Sequence, residues 1–351
     1  MKLALILPNL PPARCGVYDY SMKLHELWPK SPEWVLISSC HGAGWPGSSV
    51  LKVKREGESL CRALAELKPD AVMLQYTCYG YAENGVPRWL ADGLEHFKKQ
   101  CPARLAVMFH ELWYTGPLWT RARWRKSSQH AVARRLCATA DVTLTGVPLY
   151  QSELLRLSKR PVLLSPIPSN IDTAAFAAHT GPFRVGVFGL PASRERTLKR
   201  FASVGGALAD ELLLMGAGLE SHLSAKEKKL VASYAPARVL VEQNIDARSI
   251  SLALASCHAL LIPYASEELP KSGVAMAALA HGCAVIAHGP EIPGGPPFLN
   301  ALTELGKAGV GATQLRTRAA ETGARGRAWY DANNGWPRAV DAWCRALGIR
   351  A

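Results

Sequence analysis

Several segments place charged or polar residues next to glycine where an apolar run gives way to a helical pattern. The most informative is Pro263–Ala287. An acidic pair, Glu267–Glu268, is followed by Lys271–Ser272–Gly273, a helix of small residues, Gly282 and a new apolar run from Ala284. Ser272 can cap the helix. The backbone N–H groups of Ser272 and Gly273, with the Lys271 ammonium, suit a diphosphate; the helix body reads as structural, since small residues let it pack close to a sheet. A second segment runs Val187–Phe188–Gly189, then Arg194, Arg196, Lys199 and Arg200. A strand, a glycine and arginines at a helix start make a phosphate cradle, Arg as a bidentate fork and Lys as a point charge; the plain alternative is an exposed helix start. Met215–Gly216–Ala217–Gly218 is a second glycine turn.

Two further segments lie nearer the N-terminus. Phe109–His110–Glu111 ends an apolar strand, so His110 and Glu111 are placed to contact a sugar hydroxyl or a developing charge; a satisfied strand-end histidine is the alternative. Tyr114 stands where a zinc protease would need its second histidine, so no H-E-x-x-H site exists. The run from Asn9 to Gly16 opens a helix at Val17, where amides could meet an anion or simply form a tight turn. It is not G-x-G-x-x-G, which excludes a dinucleotide fingerprint. Between Glu111 and Asp141 there is no acid, while Arg121, Arg123, Arg125, Lys126, Arg134 and Arg135 alternate with Trp113, Trp119 and Trp124. Basic plus aromatic composition fits a membrane-surface segment or a nucleic-acid platform.

These segments need strands and helices to hold them. Apolar strand-like runs at 3–7, 34–38, 71–75, 105–109, 142–145 and 162–164 alternate with helical patterns at 17–27, 59–67, 87–99, 127–138 and 148–157. The alternation restarts with strands at 184–188, 212–215, 238–241, 259–262 and 284–287 and helices at 196–210, 220–233, 247–256 and 272–281; a helical stretch runs from about 313 to the C-terminus, broken at Asn333–Gly335. Continuous apolar strands between amphipathic helices imply parallel sheets covered on both faces. The expected fold is therefore α/β, two Rossmann-like doubly wound domains facing a cleft, with ligands at the carboxyl ends of the strands. The expected domains are 1–172, 173–332 and a closing helix at 333–351 that packs back on the first.

The bulk numbers agree. The 351 residues suit two domains, and 48% hydrophobic with 20% charged residues is ordinary globular composition. Forty-one Lys and Arg against 28 Asp and Glu give a net charge of +13, which calls for an anionic partner. The first apolar run is five residues ended by Pro8, too short for a secretory signal, and no segment suits a membrane span. Nine scattered cysteines without C-x-x-C argue against a zinc ribbon or redox motif and fit reduced thiols in the cytoplasm. Nucleic-acid motifs are absent, so no nucleic-acid partner is expected.

Read together, the segments resemble the retaining nucleotide-sugar glycosyltransferases of the GT-B fold, glycosyltransferase family 4 in particular. Ala277–Ala287 is similar to the family's E-A-M-A-x-G-x-P-V-V-A stretch, and Pro11–Val17 resembles its glycine loop. Phe109–Glu111 resembles its strand-end histidine motif, Phe188–Gly189 with the following Arg and Lys its diphosphate site, and 215–218 its second-domain glycine turn. Trp336 resembles a residue of the closing helix. The segments occur in the family's order. The family's two glutamates, spaced E-x7-E, fall on Leu269 and Ala277 here; Glu267 or Glu268 could supply one carboxylate from a shifted loop, the second has no counterpart, and Lys271–Gly273 is closer to a subset with a basic-Gly-Ser type loop.

The resemblance implies transfer of a sugar from a nucleotide diphosphate to a glycan or lipid-linked glycan, with retention. His110, Glu111 and Glu268 are the expected catalytic residues; Gly16, Gly189, Arg194, Arg196, Lys199, Gly216, Glu267, Lys271, Ser272 and Gly273 are expected to hold the donor. No D-x-D occurs, so neither a metal nor another cofactor is expected. The Trp/Arg segment 113–126 is expected to dock on the inner face of the cytoplasmic membrane. The alternative is a non-catalytic subunit of the same fold, serving as partner or scaffold.

Overall fold

The computed structural model describes residues 1–349 apart from 14, 30–31, 114–123, 174–180, 204–208, 220–222, 235–237, 245 and 301–311. The chain begins β1 (Lys2–Ile6), α1 (Gly16–Glu26), β2 (Glu33–Ser38), β3 (Ser49–Lys52), α2 (Gly57–Leu67), β4 (Ala71–Tyr76), α3 (Cys78–Tyr81) and α4 (Arg88–Gln100). It continues with β5 (Arg104–Phe109), α5 (Lys126–Thr139), β6 (Val142–Thr145), α6 (Pro148–Leu157) and β7 (Val162–Leu164). Then follow β8 (Arg184–Phe188), α7 (Pro191–Phe201), β9 (Glu211–Met215), α8 (Ala225–Val231), β10 (Arg238–Glu242), α9 (Ala247–Ala255) and β11 (Ala259–Ala265). Last come α10 (Gly273–Ala280), β12 (Ala284–His288), β13 (Leu299–Asn300), α11 (Ala312–Asn333) and α12 (Trp336–Leu347).

The chain forms two compact units, Met1–Pro166 with Trp336–Ala351, and Ile167–Gly335. The first junction falls ahead of the expected 172 because the segment after Pro166 is tied to the second unit. Tyr330 Oη accepts from the Ser169 amide at 3.0 Å, and Asn334 Nδ2 donates to the Ile167 carbonyl at 2.9 Å. The last helix belongs to the first unit, as expected.

Among the described residues the first unit holds a seven-stranded sheet, β3-β2-β1-β4-β5-β6-β7, and the second a six-stranded sheet, β10-β9-β8-β11-β12-β13. Every pairing is parallel. The central strands are buried on both faces, which explains their unbroken apolar sequence. In the second unit Leu213, Met215, Leu260, Ile262 and Val285 pack with α9 and α10. Alternate residues Leu212, Leu214, Leu261 and Ile286 pack on the other face with Leu198 of α7 and Leu315 of α11. In the first unit Ala4, Ile6, Val72, Leu74, Leu105 and Val107 pack against Leu60, Leu64, Leu94 and Leu136. Each fully buried side chain of this kind contributes ~1.5–3 kcal/mol.

Two strands are added to those expected. β3 is a four-residue edge strand, exposed at three positions, and β13 is two residues long, so neither carries an apolar run. Helix starts follow their caps. α7 begins at Pro191, whose fixed φ suits the first turn, rather than at 196. α8 begins at Ala225 rather than at 220, where Ser224 and Glu227 form a reciprocal capping box. Ser272 caps α10 through the Ala275 amide, as expected. Arg104 Nε donates to the Ala346 carbonyl at 2.6 Å, closing the end of α12 on β5. No described helix is long and apolar enough to cross a membrane.

Candidate functional site

In a doubly wound sheet the strand order reverses at one point, and the loops leaving the carboxyl ends there diverge to leave a crevice. In the second unit that point lies between β8 and β11. The loops beside it are the Gly189 turn and the segment Ser266–Ser272, two of the segments singled out by their chemistry. In the first unit the reversal lies between β1 and β4. The loop after β1 leads to Gly16 at the start of α1, and β5, which His110 follows directly, is the strand next to β4.

The second unit's turns are locked together from below. Arg194 was expected to bind phosphate from the helix surface, but it is fully buried. Its Nε donates to Glu227 Oε1 at 2.8 Å, and its Nη1 donates to the carbonyls of Gly189 and Ala217 at 2.5 and 2.7 Å. The guanidinium thus joins the turns after β8 and β9 to α8. It is the fourth residue of α7, one turn in, and points into the layer between helix and sheet instead of outward. Burial pushes the Glu227 carboxyl up, but the Ser224 amide and the Arg194 guanidinium outweigh it and hold the carboxyl below its ordinary value. Gly216 is also structural: at φ 112° it lies so close to the Gly189 carbonyl that a side chain would collide with it. Arg196 and Lys199 are exposed on α7, about 7 and 12 Å along the axis from its first residue.

The segment after β11 forms a 3₁₀ helix, Ser266–Lys271, that leads into α10. Lys271 Nζ donates to Glu268 Oε1 at 2.6 Å and sits 5.9 Å from the Tyr264 ring centre. The lysine and the carboxylate therefore neutralise each other. The Ser272 amide, expected to face a diphosphate, donates instead to the Leu269 carbonyl at 3.0 Å, and the Ser272 hydroxyl is used by the cap. Gly273 has no atom within 4 Å of where its Cβ would stand, so the N-terminus of α10 is open at that residue. Leu269 and Ala277 are each 1% exposed. Both positions are core, and neither offers a surface from which a carboxylate could reach a ligand.

A residue not anticipated from sequence, His288, ends β12 beside this segment. Arg200 donates to its Nε2, which leaves the proton of the neutral ring on Nδ1. Burial holds the imidazole below its ordinary pKa; Arg200 adds to the effect, and Glu267 and Glu268 oppose it. Its sequence signal is Ala287–His288–Gly289, a histidine directly after an apolar strand, as at Phe109–His110.

In the first unit His110 is 8% exposed at the end of β5. Its Nε2 donates to Gln75 Oε1 at 2.7 Å, and its ring meets the Tyr20 ring edge-on at 5.6 Å. Burial pushes its pKa down to about 4, so the imidazole is neutral near pH 7 and acts as a hydrogen-bonding group. Glu111, the next residue, is exposed. Gly16 opens α1 with no atom within 4 Å of an added Cβ, and Cys15 makes no side-chain cap there.

Most of the Trp/Arg segment, residues 114–123, lies outside the described residues. Trp124 is 85% exposed, with Arg125 and Lys126 exposed beside it. Arg135 differs from the rest of the run: Asp92 and Glu95 both pair with it at 2.6 Å, so its charge is spent on joining α5 to α4. Among the described residues, no group of three or more His, Cys, Asp or Glu could hold a metal ion.

No family model matches the sequence, and no curated protein matches it. Solved structures do. A glycosyltransferase from Rickettsia africae is 11% identical over 99% of this chain and 98% of its own, with a TM-score of 0.57. UDP-GlcNAc 2-epimerase of Neisseria meningitidis, solved with UDP-GlcNAc, is 11% identical over 99% of each chain, at 0.56. A variant of S. aureus TarM, solved with UDP and alpha-GlcNAc-glycerol, is 14% identical over 83% of this chain and 58% of its own, at 0.54. With two doubly wound, all-parallel units and a last helix that belongs to the first, the chain has the GT-B fold.

Proposed function

We propose that the protein is a glycosyltransferase that moves a sugar from a nucleoside diphosphate to a glycan or lipid-linked glycan. The observation that carries the reading is the crevice of the second unit. There the β8–β11 reversal brings the Gly189 turn, Lys271 and the open N-terminus of α10 to one sheet edge. The Lys271–Glu268 pair is partly exposed, its side chains at 17% and 27%. A diphosphate can therefore take the ammonium from Glu268, and the Gly273 amide and the α10 dipole add to it. Those groups offset the charge that develops on the leaving diphosphate, with no metal required. Neutral His110 offers a hydrogen bond to an acceptor hydroxyl in its own unit instead of a fixed positive charge. Retention follows if the leaving phosphate oxygen takes the acceptor proton on the face it departs from. Trp124, Arg125 and Lys126 support docking on an anionic membrane surface, with the enzyme in the cytoplasm.

Calorimetric titration of the folded full chain with UDP and GDP tests the donor site. Binding of one of them, weakened about tenfold or more by Lys271→Ala, is the expected result; failure to bind either refutes the reading. A screen of nucleotide sugars, with and without glycan acceptors, then tests the reaction. Acceptor-dependent release of the nucleotide is expected. An epimerised nucleotide sugar formed without acceptor would assign the chemistry of the epimerases instead. Buried Leu269 and Ala277 favour one second reading, a subunit that binds the nucleotide without turnover.

A further inference from the structure

We propose that the first unit carries a separate anion site, formed by His41, Lys52, Lys54 and Arg55, that takes a phosphoryl group borne by the acceptor. The word acceptor rests on the glycosyltransferase reading; the anion site does not.

β2 and β3 run parallel with Ser38 opposite Lys52, so the segments after them leave the sheet at one end. There Lys52 meets His41 and Arg55 meets Ser39 and Cys40, with Lys54 between the two cations in sequence. Lys52 Nζ lies 2.9 Å from His41 Nδ1, while Arg55 donates from Nε to Ser39 Oγ at 3.4 Å and from Nη2 toward Cys40 Sγ at 3.9 Å. Cys40 in turn donates to the Pro8 carbonyl at 3.2 Å, which ties the cluster to the loop after β1. His41, Lys52, Lys54 and Arg55 are exposed. No ion pair with an acid is found for Lys52, Lys54 or Arg55 among the described residues. The one acid in 39–57 is Glu56, against three fixed positive charges. Elsewhere in this unit cations do find partners, Arg135 on Asp92 and Glu95, Lys98 on Asp141, Arg62 on Glu58.

Three like charges gathered at one sheet edge against a single acid raise one another's energy, and an anion relieves it. A guanidinium fork with two ammonium groups matches a phosphoryl group's oxygens and its charge near −2 better than it matches a single carboxylate. α2 begins directly after the cluster, and its N-cap Glu56 makes no side-chain cap bond. That helix end also carries Glu56 and, in its first turn, Glu58, so its dipole adds little to the field and the three cations supply it.

Position separates this site from the donor site and relates it to His110. It lies in the first unit, three to four strands from β5 in the order β3-β2-β1-β4-β5 and at the same end of the sheet. At ~4.8 Å per strand the ends are about 14–19 Å apart. An acceptor of several linked units, anchored there by its phosphate, would span that distance to the His110 end of the sheet.

The test uses the full chain saturated with the nucleotide it binds, so that only a second site is read, and inorganic pyrophosphate as probe. Pyrophosphate should bind, with affinity falling as salt is added, and Lys52→Ala/Arg55→Ala should weaken it about tenfold or more. The exposed substitutions should leave nucleotide affinity and thermal unfolding unchanged. No pyrophosphate binding, or equal binding by wild type and variant, overturns the site. If no nucleotide binds, the titration is run without one: the glycosyltransferase reading then fails, and a binding loss confined to the variant still establishes the anion site. Co-sedimentation with phosphatidylglycerol vesicles separates the sources of the phosphate. Vesicle binding that the double variant loses and pyrophosphate displaces assigns a lipid-borne group; pyrophosphate binding without it assigns a soluble phosphorylated acceptor.

Discussion

Trp343 Nε1 donates a 3.0 Å hydrogen bond to the Tyr20 hydroxyl, joining the last helix to the first across 323 residues of chain. Both side chains are buried, and the Trp336 ring packs tilted against the same tyrosine, 5.4 Å between centres. Burial raises the phenol to about 12 against the lowering effect of Trp343 and Ser165, so it stays protonated. The same ring meets His110 edge-on, so the C-terminal helix supports the wall of the strand-end site in its own unit.

Removal of that indole should be felt as lost packing. Trp343→Ala is expected to cost about 3–5 kcal/mol, and Trp343→Phe less, mainly the hydrogen bond to Tyr20. Urea unfolding measures both. Equal stability of Trp343→Ala and wild type would contradict the packing described.

The Arg194–Glu227 pair should behave as a buried pair. Arg194→Met alone leaves a buried carboxylate and is expected to cost about 3–5 kcal/mol; Glu227→Leu alone should cost a similar amount. The double variant should lose less than the two single losses added together, because no unpaired charge remains. A double-mutant cycle by chemical unfolding checks this, and strict additivity would rule the pairing out.

Glu227 also sets a pH dependence. Its pKa is lowered in the folded chain, so the unfolded chain binds more protons at acid pH. The stability it contributes is fully present above its ordinary pKa of 4.5 and is lost as pH falls below that value. Glu227→Gln should flatten this part of the stability profile; an unchanged acid limb would place the cause elsewhere.

His110 titrates in the opposite chemical sense with the same outcome. Its folded pKa of about 4 lies below the ordinary 6.5, so folding favours the neutral ring. Its contribution to stability is present above pH 6.5 and falls away toward pH 4. NMR of labelled histidine should show His110 neutral through pH 6; a midpoint near 6.5 would contradict its burial against Gln75 and Tyr20.

Glu268 holds the Lys271 ammonium proposed to meet the donor diphosphate. Glu268→Gln should therefore tighten nucleotide binding several-fold by freeing Lys271, whereas Lys271→Ala should weaken it. Titration of both variants checks the exchange. Weaker binding by Glu268→Gln would show that the carboxylate itself contacts the ligand.

The sequence by itself determined the two series of strands and helices, because strands buried on both faces must be apolar throughout and the helices between them must be amphipathic. It also located the glycine turns, since Gly189 and Gly216 sit where an apolar run stops. Caps such as Ser224–Glu227 and Pro191 were legible residues whose use depended on where each helix began. Tertiary structure decided which charges were free. Arg194 and Arg196 look equivalent in the chain, yet they stand two positions apart on α7; one turns inward to Glu227 and the other lies exposed. The Ser272 amide looked available until the turn placed the Leu269 carbonyl 3.0 Å away. The Lys52–Arg55 cluster escaped notice because β3 carries no apolar run and its partners come from the end of another strand. Periodicity reports which face of an element is buried, but the partner of a charge is fixed by the packing of segments distant in sequence.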